Sequence, residues 1–179
     1  YNIDKKYKQS LTPTIINRYI NLKKLDLSCN WIIKDINNLV NLEILDISGN
    51  CMINNDGIAG CTDLKILNVY DNANITSVNH LTQLEILNAG NNCGIDNNGI
   101  VKCTSLKILI TNDNTKITNV NNLTLLENLN ASGNNCGIND TSIVECINLK
   151  ILNARSNQNI TTVNSLTQLE FLRADGNCG

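Results

Sequence analysis

The chain has 179 residues, a formal net charge of −2, and 35 Asn, 24 Ile and 23 Leu. So much Ile and Leu excludes a disordered linker, the near-neutral charge excludes a general nucleic-acid or anionic-membrane surface, and a single His leaves little for acid–base catalysis. A composition this narrow points to one repeated sequence, in a length that suits a single domain.

Residues 1–20 read as a lead-in, with a small basic cluster at Lys5, Lys6 and Lys8. From Leu11 the chain fits the back half of a repeat unit, with Ile16 in the slot of Ile58 and Tyr19 in the slot of Cys61. The single Pro, Pro13, falls where no strand needs its N–H. This segment is expected to be a degenerate first unit or cap. Residues 21–179 are expected to be an array of seven full units and a truncated eighth.

The units start at Leu22, Leu42, Leu64, Leu84, Leu106, Leu126, Leu149 and Leu169, at spacings of 20, 22, 20, 22, 20, 23 and 20 residues. Short and long units therefore alternate. Each opens with Leu-x-x-Leu-x-apolar-x-x-Asn, the Asn being Asn30, Asn50, Asn72, Asn92, Asn114, Asn134, Asn157 and Asn177. Alternation such as Leu67/Val69 predicts a short strand with one inward face. The Asn is expected at a sharp turn, where its amide can satisfy backbone groups that the turn leaves unpaired.

On these motifs the chain resembles the leucine-rich repeat family over roughly residues 11–179. The short units, with Ile-Thr-x-Val and Leu-Thr-x-Leu, are similar to the internalin type. The long units resemble Cys-containing variants. The resemblance implies a right-handed solenoid of α/β type that is nearly all β. It implies a parallel concave sheet of about eight short strands, and partners that bind on the strand face. Units this short leave room on the convex side for extended or 3₁₀ segments only. A single unit cannot bury its own apolar face, so stacking must do it.

Position in the unit becomes a row on the surface. Position two reads Lys23, Glu43, Lys65, Glu85, Lys107, Glu127, Lys150, Glu170, an unbroken sign alternation read as a ladder of surface ion pairs that fixes stacking order. Cys61, Cys103 and Cys146 replace Leu39, Leu81, Leu123 and Leu166 of the short units, as inward thiols. Cys51, Cys93, Cys136 and Cys178 follow the Asn turn. Members of one column stand about 10 Å apart, too far for a disulfide, which leaves a Cys51–Cys61 bridge within one unit, across the convex segment, as the alternative to free thiols. Free thiols favour a reducing compartment. The five glycosylation sequons, at Asn74, Asn122, Asn130, Asn139 and Asn159, match the number chance supplies and carry no message about secretion. No stretch approaches the roughly 20 apolar residues of a membrane span.

His80 is expected to be an exposed loop residue. Gly94, Gly99 and Gly137 are turn residues without the Lys-Ser/Thr of a phosphate loop. Asp56, Asp71, Asp96, Asp113 and Asp140 are dispersed over several units. No cofactor, metal or catalytic group is expected.

Positions three, five and seven are expected on the concave face. Position three reads Lys24, Ile44, Ile66, Ile86, Ile108, Asn128, Ile151, Phe171. The Ile row is either a binding strip or simple packing along the sheet. The expected partner patch is Ile66, Tyr70, Ile86, Ile108 and Ile110, with Arg155 and Arg173 as polar anchors. Leu169, Leu172 and Ala174 are left on an uncovered C-terminal end, which either continues into further units or lets copies self-associate. The function expected is a non-catalytic scaffold binding a protein partner, with no nucleic acid and no membrane. The alternatives are a structural repeat assembling end to end in a fibre, shell or surface layer, and the recognition segment of a larger protein.

Overall fold

A computed structural model describes residues 12–16 and 18–178; Leu11 and the basic cluster at Lys5, Lys6 and Lys8 lie outside the described residues. The alternating stretch of every unit forms a three-residue strand: β1 (Lys24–Asp26), β2 (Ile44–Asp46), β3 (Ile66–Asn68), β4 (Ile86–Asn88), β5 (Ile108–Ile110), β6 (Asn128–Asn130), β7 (Ile151–Asn153) and β8 (Phe171–Arg173). They form one parallel sheet in chain order. Each strand meets the next with equal unit positions opposite, as in Ile44, Ile66, Ile86 and Ile108.

The return path across the back carries single helical turns. These are α1 (Pro13–Ile16), α2 (Asn97–Ile100), and 3₁₀ turns at Asp56–Ile58 and Asp140–Ser142. α2 departs from the extended or 3₁₀ path expected there. Asp96 caps it, its carboxylate accepting from the Gly99 N–H at 2.9 Å. The other convex segments are turns and extended chain.

Inside the coil lies one continuous apolar core. Position four is Leu throughout, and from Leu25 to Leu152 these side chains are at most 2% exposed. The inward thiols fill their Leu slots and bond to the preceding short unit. Cys61, Cys103 and Cys146 donate to the carbonyls of Ile36, Val78 and Val120 at 3.3–3.5 Å. All eight Cys are free thiols. The backbone of Tyr19 bonds to Ile16 as that of Cys61 bonds to Ile58, but its ring is 55% exposed instead of inward. A phenol is larger than the thiol or isobutyl group the slot holds, and its hydroxyl would lose its solvent there.

The Asn ladder is half what the sequence pattern suggests. Asn30, Asn72, Asn114 and Asn157, all in short units, are buried. Asn50, Asn92, Asn134 and Asn177 are exposed. In the long units the inward slot beside the buried Asn is taken by the Cys that follows: Cys51, Cys93 and Cys136 are at most 1% exposed. The backbone fixes this equivalence. The residue after each Cys (Met52, Gly94, Gly137) donates its N–H to the carbonyl of Asn30, Asn72 or Asn114 in the short unit before. One turn thus presents a carboxamide and the next a thiol.

The buried amides join neighbouring turns. Asn72, Asn114 and Asn157 donate through Nδ2 to Ile47, Ala89 and Ala131 in the long unit before, at 2.7–2.8 Å. Their Oδ1 atoms accept N–H bonds from their own turn, at Asn74, Lys116 and Asn159. Two further rows stitch the convex side. Asn37, Asn79 and Asn121 donate to Asp56, Asn98 and Thr141 in the long unit after, and accept from Gly60, Lys102 and Glu145 there. Asn55 and Asn97 pair reciprocally with Thr76 and Thr118 of the next short unit. In the same slot Asp140 accepts both the N–H and the hydroxyl of Thr161. Each interior short unit is therefore bonded on both sides through side-chain amides.

Position eight turns the chain off the sheet in the left-handed region. Cys29, Gly49, Asp71, Asn91, Asp113, Gly133, Ser156 and Gly176 all have φ between 54° and 103°. At Gly133 the restriction is double, because a Cβ would also run into the Asp113 carboxylate.

Two outcomes test this account. Replacing Asn114 with Ala leaves buried backbone groups unpaired and is expected to cost about 2–4 kcal/mol, whereas Asn134→Ala should stay within about 0.5 kcal/mol; urea unfolding of both variants distinguishes them. Burial pushes the thiols of Cys61, Cys93, Cys103 and Cys146 up to about 11 from an ordinary 9. These thiols therefore support the fold fully below pH 9, and that support is lost as pH rises toward 11, at about 1.4 kcal/mol per unit and thiol. Denaturation midpoints in reductant should fall steeply over this window, and less steeply in Cys103→Ala.

Candidate functional site

The sheet has an inward and an outward face, and position in the unit decides which. Up to the unit of β7 positions four and six are buried, while three and five are half-buried or exposed; in the last unit Leu172 and Ala174 are exposed as well. Ile44, Ile66, Ile86 and Ile108 stand side by side on β2–β5, each half-buried. Asn128 interrupts them on β6. Ile151 and Phe171 resume the row on β7 and β8, at 37% and 55% exposure.

Position five has a structural task invisible in the sequence pattern. The side chains of Asp26, Asp46, Asn68, Asn88, Asn130 and Asn153 each accept the backbone N–H two residues on, at position seven. This is an Asx turn that satisfies the strand end. Two units break the rule. Ile110 brings no acceptor, and Arg173 turns its guanidinium to Asp175 at 2.9 Å. Ile110 lies between Asn88 and Asn130, beside the Ile row, and adds apolar surface there.

Position seven holds Tyr70, 36% exposed. Its ring edge lies over Gly90, where an added Cβ would stand 3.0 Å from the ring and 2.6 Å from Asn112 Oδ1. The lack of a side chain at Gly90 leaves room for the ring edge there. Tyr70, Ile66, Ile86, Ile108 and Ile110 thus share one face of β3–β5. Arg155 and Arg173 lie apart from them, toward β7 and β8. Both converge on Asp175, at 3.5 and 2.9 Å, and the Arg173 hydrogen bond holds that carboxyl below the usual range.

The charge row flanks this face. Lys65, Lys107 and Lys150 bond to Glu43, Glu85 and Glu127 of the long unit before, at 3.6, 2.8 and 2.8 Å, and Lys23 bonds to Glu43 at 2.9 Å. Glu43 is thus shared by the Lys of the short units on both sides, whereas Glu85 and Glu127 each bond to the Lys of the short unit after. The hydrogen bond from Lys lowers the pKa of each of these three Glu.

Other candidates have structural employment. His80 is half-buried, not exposed, and its Nε2 lies 3.2 Å from the Ile58 carbonyl. Asn122, in the same unit slot, donates to the Val101 carbonyl, one residue further along the long unit before it. Asp96 caps α2, Asp140 holds Thr161, and Asp71 accepts from Asn91 and Asn92. Among the described residues no three His, Cys, Asp or Glu side chains gather as a metal site. No helix there is long and apolar enough to cross a membrane.

The solenoid superposes on known structures. An internalin from Listeria monocytogenes superposes with a TM-score of 0.69 and 23% identity, over 90% of this chain and 50% of its own. The fold is the leucine-rich repeat solenoid. Internalin C2 from the same organism matches with a TM-score of 0.67 and 26% identity, over 93% of this chain and 77% of its own. This leucine-rich repeat chain therefore spans about half the length of the first internalin. No family model and no curated protein matches it.

The charge row yields a pH expectation. Because their folded pKa values are depressed, Glu43, Glu85 and Glu127 contribute stability that is complete above the unfolded value near 4.5 and is lost as pH falls through the lower folded value. Acid unfolding of a Glu43→Gln, Glu85→Gln, Glu127→Gln variant should lose part of the pH dependence below 4.5 and keep the alkaline limb unchanged.

Proposed function

We propose that the chain is a non-catalytic scaffold that binds a protein partner on its concave strand face. The observation that carries this is the break in the copying at β3–β5. Position five is an acceptor that completes the strand end in six units. Ile110 gives up that bond and extends an apolar row instead. A residue that breaks a local structural role kept in six other units is a candidate for a role in function. Tyr70, its ring edge beside Gly90, adds an aromatic anchor at low entropic cost. Elsewhere the polar groups are consumed by stitching, which supports a reading without catalysis. The unpaired thiols support a reducing compartment for the scaffold.

The double variant Tyr70→Ala with Ile110→Asp is expected to keep the thermal midpoint within a few degrees, because both side chains are at the surface. It should lose partner binding by roughly a thousandfold, two anchors at about 2 kcal/mol each. Capture of a partner by the wild-type chain and by the double variant, followed by titration of that partner, measures this. Unchanged affinity would dispose of the patch.

A further inference from the structure

We propose that the concave row is shaped for an amphipathic helix lying across the strands, with apolar side chains over β2–β5 and acidic ones over β7–β8. This rests on the concave-face reading above. The first argument is spacing. Ile44, Ile66, Ile86 and Ile108 are in register on successive strands, so their repeat is the inter-strand distance of about 4.8 Å. A helix presents one apolar stripe residue per turn, every 5.4 Å or so, through its i, i+3 and i+4 positions. Across three spacings the two repeats drift by about 2 Å. An extended segment presents same-side residues about 6.7 Å apart and drifts by about 6 Å over the same row. A helix can therefore seat its side chains between consecutive Ile side chains, and a strand cannot.

The second argument is charge. The position-two row beside the Ile strip is largely neutralised by its own pairs. At the β7–β8 end the concave face instead carries Arg155 and Arg173 against the single carboxylate of Asp175. Both guanidinium groups are about half exposed. Two cations sharing one anion leave one positive charge at these positions, about 10–15 Å beyond Ile108 in the stacking direction and two to four residues along the strand from the Ile row. That offset is two to three helical turns. An acidic side chain two or three turns beyond the apolar stripe would complete the Arg pair. The Asn128 break on β6 separates the apolar and charged parts of the strip.

The test uses synthetic peptides of about 20 residues: one amphipathic helix with a Leu stripe and two Glu at one end, the same peptide with Lys for Glu, and a version interrupted by two Pro. Titration against the full chain should show the Glu peptide binding about tenfold more tightly than the Lys peptide. The Pro version should bind at least about tenfold more weakly than the Glu peptide, since it cannot hold the stripe on one face. Ile86→Asn, a residue that position three already carries at Asn128, should weaken the Glu peptide at least about tenfold. Arg155→Glu with Arg173→Glu should reverse the preference between Glu and Lys peptides. Equal binding of the Pro version, still lost in Ile86→Asn, overturns the helix and leaves the concave-face reading standing. Equal affinity of Glu and Lys peptides overturns the charge assignment, and so does an unreversed preference in the Arg variant. Binding that Ile86→Asn does not touch overturns both the helix and the face. Absence of binding by the Glu peptide overturns the helix alone, and the Tyr70 and Ile110 double variant then decides the face.

Discussion

A coil of 20–23 residues per turn cannot satisfy its own backbone. Three residues of each turn join the sheet, and single helical turns serve a few more. The remaining N–H and C=O groups change direction at buried corners, where an unpaired group costs about 1–3 kcal/mol. The whole fold depends on meeting that demand from neighbouring turns. The Asn carboxamide is suited to it, having donor and acceptor on one short side chain. Asn114 shows the economy of the arrangement. Its Nδ2 donates to Ala89 one turn back, and its Oδ1 accepts from Lys116 in its own turn.

Because short units carry the buried Asn and long units the Cys, the stack has a direction. Short units reach back through Asn72 and Lys65 and forward through Asn79. Long units reach forward through Asn55 to Thr76. A slip by one unit would place Cys against Cys, Lys against Lys, and Asn55 against a turn without the matching Thr. The exposed ion pairs are weak individually. They coincide with the amide stitches in register, and the buried amides supply the larger share. Alternation of two unit types is thus a specification of register as well as a repeat.

Once the backbone is satisfied inside and along the convex side, the strand face is released from structural duty except at position five. There the Asx side chains finish the strand ends, so most of the polar concave surface is also structural. The residues left over are few: the Ile row, Ile110, Tyr70 on Gly90, and the Arg155–Asp175–Arg173 cluster. Their placement on one face follows from strand register and not from proximity in sequence.

Much of this was legible in the sequence. Period and alternation determined the strand in each unit, the Leu framework, the inward Cys61, Cys103 and Cys146, and the charge row, because all of these follow from a repeating local pattern. What needed the tertiary structure was anything settled by a neighbouring turn. Eight Asn look identical in the motif, yet only four are buried. The long units insert their Cys into the same inward slot and rotate Asn50, Asn92 and Asn134 outward. His80 does lie in a turn, but it is half-buried because stacking brings the carbonyl of Ile58, 22 residues earlier, to 3.2 Å from its ring. The Asx turns at position five and the resting place of Tyr70 on Gly90 were hidden for the same reason. A sequence displays what repeats along one chain, whereas a hydrogen bond or a ring contact is decided by which atoms stacking brings within a few ångströms.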